Sequence, residues 1–311
     1  MVALCPRQIE AKLTAFPENQ PGCKFISYRR EYEIATRMSH SETENLQKVH
    51  YDKIAPDYTA HYGDDWSQRY RDRFIHKYMF RNIPVAGKNA LEAMCGSGET
   101  TRYLRDMGAF VTGIDISEEE VNNFRRRWPD CRGVCASILQ TGLESDAYDC
   151  VAAVGGLHHV HPYVPEAIHE IHRILKPGGY FCFAEPHEGS CPDVLRRYWY
   201  KHDPLFAKNE HSIDVEALKG IFALHFDFVS PEQYKGNIAY LCVLNSMIFR
   251  INVSAKRFFS PALLRLEAMI EKIQGRRFSC FVICQWRKKD GGGSPGISSN
   301  HDSTVVERNK L

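Results

Sequence analysis

Two glycines, a few carboxylates and a run of histidines carry the chemistry this chain can do. Gly96 and Gly98 sit in Leu91-Glu92-Ala93-Met94-Cys95-Gly96-Ser97-Gly98-Glu99-Thr100-Thr101. Lacking side chains, they let the backbone approach a ligand closely. A helix opening just beyond them offers free N–H groups and a positive dipole end to a carboxylate or phosphate. Seventeen residues past Gly98, an apolar segment ends at Asp115. A carboxylate so placed can accept both hydroxyls of a ribose. His158, His159 and His161 follow a second apolar segment, and Glu185 and His187 close a third. Neutral imidazole suits proton removal near pH 7. No HExxH or paired-cysteine spacing is present, so no metal site is expected.

These residues need strands and helices to hold them, and the periodicity supplies both. Asn89–Met94, Phe110–Asp115, Gly133–Ala136, Tyr148–Val154 and Tyr180–Ala184 read as strands, the last apolar throughout as a central parallel strand should be. Between them lie helices: one from about Glu99 to Met107, one opened by a Ser117…Glu120 capping box, and one from Pro165 to the Lys176-Pro-Gly-Gly179 stop. Such alternation predicts an α/β fold, a doubly wound, mostly parallel sheet. Upstream, Trp66, Tyr70, Phe74 and Tyr78 recur every four residues and share one helix face. Arg69, Arg71, Arg73 and Lys77 read as the solvated side of that helix. Residues 188–260 break the regularity and are rich in aromatics. Ala262–Gln274 reads as an amphipathic helix, and Phe278–Trp286 as a last strand.

The bulk properties exclude several classes. The chain has 311 residues, 43% hydrophobic and 25% charged, an ordinary globular balance. A net charge of +2 is too even for a partner that is bulk nucleic acid or an anionic membrane. No apolar stretch reaches the length of a membrane span, so no stable membrane insertion is expected. The 11 cysteines lack paired spacing, and several lie in apolar runs, which reads as buried thiols in a reducing compartment.

The ordered motifs resemble the class I S-adenosylmethionine (SAM)-dependent methyltransferase family, of small-molecule type. Its acidic-x-Gly-x-Gly-x-Gly motif is matched by Glu92-Ala-Met94-Cys-Gly96-Ser-Gly98, with Met94 where the first glycine stands. Val111–Ser117 resembles the ribose strand; Tyr148–Val151 with Gly155–His159, the fourth strand and active-site loop; Arg173–Gly179 and Glu185-Pro186, the fifth-strand approach and exit. Tyr51–Tyr58 resembles the helical lid entry. The likeness covers about residues 48–187, and the last strand loosely.

The resemblance implies a Rossmann-like, seven-stranded sheet with a helical N-terminal lid and an inserted cap. With it, the chain divides into an extension without clear period (1–45), a lid (46–82), a SAM-binding core (83–187), a cap with late helices (188–274), a final strand (275–289) and a tail (290–311) whose Gly- and Ser-rich composition predicts disorder. It assigns the cofactor to Glu92, Ala93, Cys95, Gly96, Gly98, Asp115, Ile116, Ser137, Ile138 and Gly155, with Tyr51 and Tyr58 from the lid. Ser137 stands where many relatives carry an Asp for the adenine amino group. His159, His158, His187 and Glu185 are the catalytic candidates. The implied reaction is in-line methyl transfer to O, N or C of a small, partly apolar acceptor, a natural-product or lipid-like intermediate. Two alternatives stay open: SAM-assisted non-methyl chemistry such as cyclisation, and a non-catalytic scaffold. No nucleic-acid partner is expected. The expected compartment is cytoplasmic, with Asn309-Lys-Leu311 as a near match to a peroxisomal address.

Overall fold

A computed structural model describes residues 40–203 and 209–290 of the chain. Most of the 1–45 extension, nearly all of the 290–311 tail and the terminal Asn-Lys-Leu lie outside the described residues. Helix α1 (His40–Tyr62) starts inside the segment read as extension. Asp64 then caps α2 (Asp65–Arg71), accepting N–H bonds from Trp66 and Ser67. The helix runs on through a π-helical turn, Asp72–His76, into Lys77–Met79.

The sheet follows. Strands β1 (Asn89–Ala93), β2 (Phe110–Asp115), β3 (Arg132–Cys135), β4 (Tyr148–Val154) and β5 (Leu175–Pro186) are all parallel, in the order β3-β2-β1-β4-β5. Three further strands are antiparallel to their neighbours: β6 (Phe226–Phe228), β7 (Gln233–Lys235) and β8 (Phe281–Lys288). The sheet thus has eight strands rather than the seven expected. The two short strands come from the segment read as a cap. Three residues are too few for a period-two pattern, which is why the sequence hides them.

Five helices connect these strands: α3 (Thr101–Asp106), α4 (Glu118–Arg127), α5 (Val164–Ile174), α6 (Cys191–His202) and α7 (Val215–Phe222). The last, α8 (Lys256–Ile270), begins six residues before the expected Ala262 and carries Pro261 inside it. Its early start is fixed by Lys256. That buried ammonium bonds Asp64 at 2.5 Å and the His61 carbonyl at 2.7 Å, tying α8 to the α1–α2 junction. No helix among the described residues is long and apolar enough to cross a membrane.

Alternation along the strands feeds two cores. Leu91, Val151, Ala153, Phe181, Phe183 and Trp286 face α5 and α7. Ala90, Cys150, Ala152, Cys182 and Ile283 face the other way, against Tyr70, Phe74 and Leu264. The aromatic stripe of α2 is therefore core, as its spacing suggests. The nine cysteines of the described residues are all free thiols. His169 and His172, read as surface, are half-buried, with the His225 ring against both.

Gly98 shows how tightly the loop after β1 is built. Its φ is +87°, and a Cβ there would overlap the Trp128 indole and come within 2.8 Å of Phe124. Gly98→Ala is therefore expected to cost about 3 kcal/mol, from left-handed strain plus overpacking. Thermal or denaturant unfolding measures it; a loss under about 1 kcal/mol would contradict this packing.

Candidate active site

The strand order reverses between β1 and β4, and doubly wound sheets bind ligands at that point, beyond the carboxyl ends of the strands. Two adjoining cavities open there. The first is walled by the loop after β1, the ends of β2 and β3, and α1. Glu92 braces the loop from beneath: its carboxylate accepts the Thr100 N–H at 2.8 Å and the Thr101 hydroxyl at 2.5 Å. One of the N–H groups expected to be free for a ligand is thus taken by Glu92. Asp115 fixes the loop from the side, accepting the Gly96 N–H at 2.9 Å and the Ser117 N–H at 3.0 Å. A carboxylate has about four acceptor positions, so two contacts leave others to face the cavity.

The expected capping box forms only in half. Ser117 Oγ accepts the Glu120 N–H at 3.2 Å, but Asp115 has already taken the Ser117 N–H. The Glu120 carboxylate is left buried on the cavity, with the Asn123 side chain beside it. Glu92, Glu99 and Asp115 share that wall. Burial, with Glu99 nearby, raises Glu92 to about 7; burial, Glu99 and Asp115 raise Glu120 to about 8. Arg71 lines the same cavity; it is 5% exposed, and its guanidinium donates to the Tyr62 carbonyl at 2.5 Å. A ligand that is cationic overall yet bears one carboxylate suits these walls, and SAM is such a ligand.

This acidity sets a pH dependence. Carboxyls with raised folded values stabilise the fold at low pH, and that contribution is lost as pH rises through 7 to 8. Buried His161, lowered to about 3, and His172, lowered to about 4, act only below their ordinary value of 6.5. Between pH 6.5 and 8 the carboxyls dominate. The ligand-free melting temperature should fall across that window, and the increase produced by SAM should grow. Differential scanning fluorimetry tests this; a SAM effect that shrinks as pH rises would contradict it.

The second cavity lies between α1, α2, α6 and the π-helical turn Tyr240–Leu244, and shares Tyr51, Arg71, Val154, Gly155 and His159 with the first. His159 sits on this shared boundary. Its Nε2 is 2.7 Å from the Tyr51 hydroxyl, and its Nδ1 is 3.3 Å from Glu210 Oε1. Burial pushes its pKa down, but Glu210 and Glu185 push it up more strongly. Asn209 donates to the His159 and His161 carbonyls, and Gln47 of α1 donates to Asn209. Glu185 holds the loop: its carboxylate accepts the Gly156 and Leu157 N–H groups at 2.8 and 2.9 Å and faces His158 Nδ1 at 2.9 Å. His158, His159 and Glu210 bring ligating atoms within 4.8 Å of one another, although Glu210 is far from the two histidines along the chain.

Most of the expected site residues meet here. Tyr51, Glu92, Ala93, Cys95, Gly96, Asp115, Ile116, Ser137, Ile138 and Gly155 line the first cavity. His158 and Glu185 line the second, and His159 lines both. Two do not fit the expectation. Gly98 lies outside the cavity wall, packed on Trp128, so it shapes the loop rather than touching a ligand. His187 lies off both cavities, its ring nitrogens 3.1 Å and 3.0 Å from the carbonyls of Glu188 and Ser279. The Tyr58 side chain lies outside the described residues. Arg71, Glu120 and Glu210 were missed. Arg71 had a signal: Ser67, Arg71 and Ile75 are spaced by four along the edge of the aromatic stripe, and all are buried.

Comparison with known proteins agrees with this geometry. The family described as a methyltransferase domain matches residues 91–183. An uncharacterized methyltransferase of Synechocystis is 30% identical over 121 residues, 38% of this chain and 57% of that protein's length. The malonyl-[acyl-carrier protein] O-methyltransferase of Enterobacter lignolyticus is 29% identical over 179 residues, 55% of this chain and 68% of its own. In fold, the chain is similar to the 1,6-didemethyltoxoflavin-N1-methyltransferase of Burkholderia thailandensis, solved with S-adenosylhomocysteine bound. The TM-score is 0.52 at 16% identity, over 81% of this chain and 92% of that one. The core of this chain, residues 91–183, thus matches a methyltransferase domain.

Proposed function

We propose that the whole chain is a methyltransferase acting on a small, partly apolar acceptor that carries a hydroxyl or amine. The carrying observation is the pair of cavities joined at Tyr51, Arg71, Val154, Gly155 and His159. The second is walled by Ile54, Trp199, Tyr240, Leu244 and Phe281, an apolar surround for an acceptor. SAM, when bound, supplies an already activated methyl group. What remains for the protein is to hold the acceptor in line, exclude water and remove a proton.

Asp115 is proposed to hold the ribose, with Ile116, Ser137 and Ile138 around the adenine. Glu92, Ala93, Cys95, Gly96, Gly155 and Tyr51 shape the rest of that cavity. Glu120 supplies a carboxylate for the cationic portion. Arg71 clamps the carboxylate of the methionine portion. His159 takes the acceptor's proton, oriented by Tyr51 and Glu210. His158 and Glu185 are positioning residues that fix the loop. Arg71→Ala is then expected to raise the Kd for SAM by roughly tenfold, the loss of a charge-assisted hydrogen bond. Decarboxylated SAM should bind both forms alike. An equal loss for both ligands would place Arg71 elsewhere.

Incubation with methyl-labelled SAM and a library of phenols, amines and quinol-type lipids tests the reaction. Labelled product with release of S-adenosylhomocysteine supports it. An acceptor converted without mass gain would favour SAM-assisted non-methyl chemistry instead.

A further inference from the structure

The chain's near-neutral total hides an uneven surface. Helix α8 buries one face only: Lys256, Ser260, Leu264 and Glu267 point inward. Glu267 accepts the Tyr70 hydroxyl at 2.8 Å and the N–H groups of Asn237 and Ala239, both at 2.9 Å. With Lys256 held by Asp64 and His61, the helix cannot roll. Its other face is therefore fixed toward solvent. Along it, Phe258, Ala262, Leu266 and Met269 recur at steps of four, four and three, a single helical stripe that Ile273 continues in the turn after the helix, and all are exposed. Phe258 is 75% exposed and Ile273 87%. Exposed Phe278 extends the stripe past the helix end.

Cations flank it. Arg257, Arg265, Lys272, Arg276 and Arg277 are all exposed. Only Arg276 has a carboxylate partner among the described residues, Glu216 at 3.7 Å. Two acidic residues nearby are not buried: Glu216, which pairs with Arg276, and Glu271, which is engaged by Lys235 at 3.4 Å and by Tyr78. The patch thus carries more positive charge than the whole chain's +2. Large apolar side chains ringed by unpaired arginine and lysine are what a helix lying in an anionic bilayer surface presents. An acidic protein would need the charges but not so many projecting apolar groups.

The patch also leads to the second cavity. The turn Arg276–Phe278 packs against α6. Helix α6 exposes Val194, Leu195 and Tyr198, and its Pro192, Leu195 and Trp199 line that cavity.

We propose that the exposed face of α8, with Arg276–Phe278, docks this protein onto anionic lipid bilayers, presenting the second cavity to molecules held there. The docking stands independently of the methyl-transfer reading; that the acceptor is a membrane-borne lipid rests on it.

Co-sedimentation of the full chain with vesicles tests the docking without any turnover. Vesicles of phosphatidylcholine and phosphatidylglycerol in about a 3:1 ratio should bind at least tenfold more protein than phosphatidylcholine alone. The double variant Arg265→Glu/Lys272→Glu should lose roughly fivefold or more for each cation. Ile273→Asp should weaken binding with every basic residue of the flank in place. These positions are exposed, so the variants should fold, and unchanged SAM affinity verifies it. Binding to neither vesicle, or binding that survives both variants, overturns the proposal. So does a concentration-dependent dimer in sedimentation velocity, abolished by Ile273→Asp, with no vesicle binding: a second copy would then cover the face. If docking holds but no lipid acceptor is methylated, the surface stands and the acceptor reading falls.

Discussion

Asp115→Ala is expected to weaken SAM binding by roughly tenfold to a hundredfold, the range for losing hydrogen bonds to a charged group. Two effects combine. The carboxylate's positions facing the cavity are lost as acceptors for the ribose hydroxyls. The Gly96 and Ser117 N–H groups also lose their shared acceptor. The loop after β1 then keeps the Glu92 contacts beneath it, the Trp128 indole bond to the Ser97 carbonyl and the packing of Gly98 on Trp128. Asp115→Asn separates the two, since its amide oxygen can keep one N–H bond while the charge is gone. It should fall between wild type and alanine. Isothermal titration calorimetry reads both. An alanine variant that binds SAM as tightly as wild type would remove Asp115 from the site.

The second large effect is at His159. His159→Ala should lower the single-turnover rate by roughly a hundredfold to ten-thousandfold, the usual contribution of a positioned base, with SAM affinity little changed. Glu210→Gln gives a sharper readout. Glu210 helps to raise the His159 pKa above its ordinary value. A base must be deprotonated to act, so the rate rises with pH through that pKa. Removing the Glu210 charge lowers it, and the acid limb of kcat/KM should move to lower pH. A purely structural Glu210 would change the rate without moving the limb.

The core was legible because its elements are long and strictly patterned. Strand alternation on β1, β4 and β5 sorts residues cleanly onto two faces, and the glycine loop sits where a strand meets a helix. Even the departure at Met94 has a local reason. It takes a φ of +52°, a conformation that favours the glycine usually found there, and its side chain fills space that a Cβ on Gly156 would occupy. What stayed hidden depends on tertiary contact. Arg71 lies among charged neighbours that are solvated, and only the packing of α2 turns it inward. Glu210 is far along the chain from His159, in a segment without period. The Ser117…Glu120 pattern is a sound cap signal, but Asp115 competes for the same N–H group and leaves a carboxylate on the cavity. His187 follows a core strand as a site residue would, yet both its nitrogens face backbone carbonyls. In α8 the apolar period was readable, but only the fold shows which face stays outside.

The most direct test of the central claim is mass spectrometry of a reaction with trideuteromethyl-labelled SAM, run alongside His159→Ala. Wild type should transfer the label to an acceptor and release an equal amount of S-adenosylhomocysteine, while the variant binds SAM and transfers almost none. If wild type binds SAM but an acceptor is converted without taking up the label, or if the variant transfers as fast as wild type, the account is contradicted.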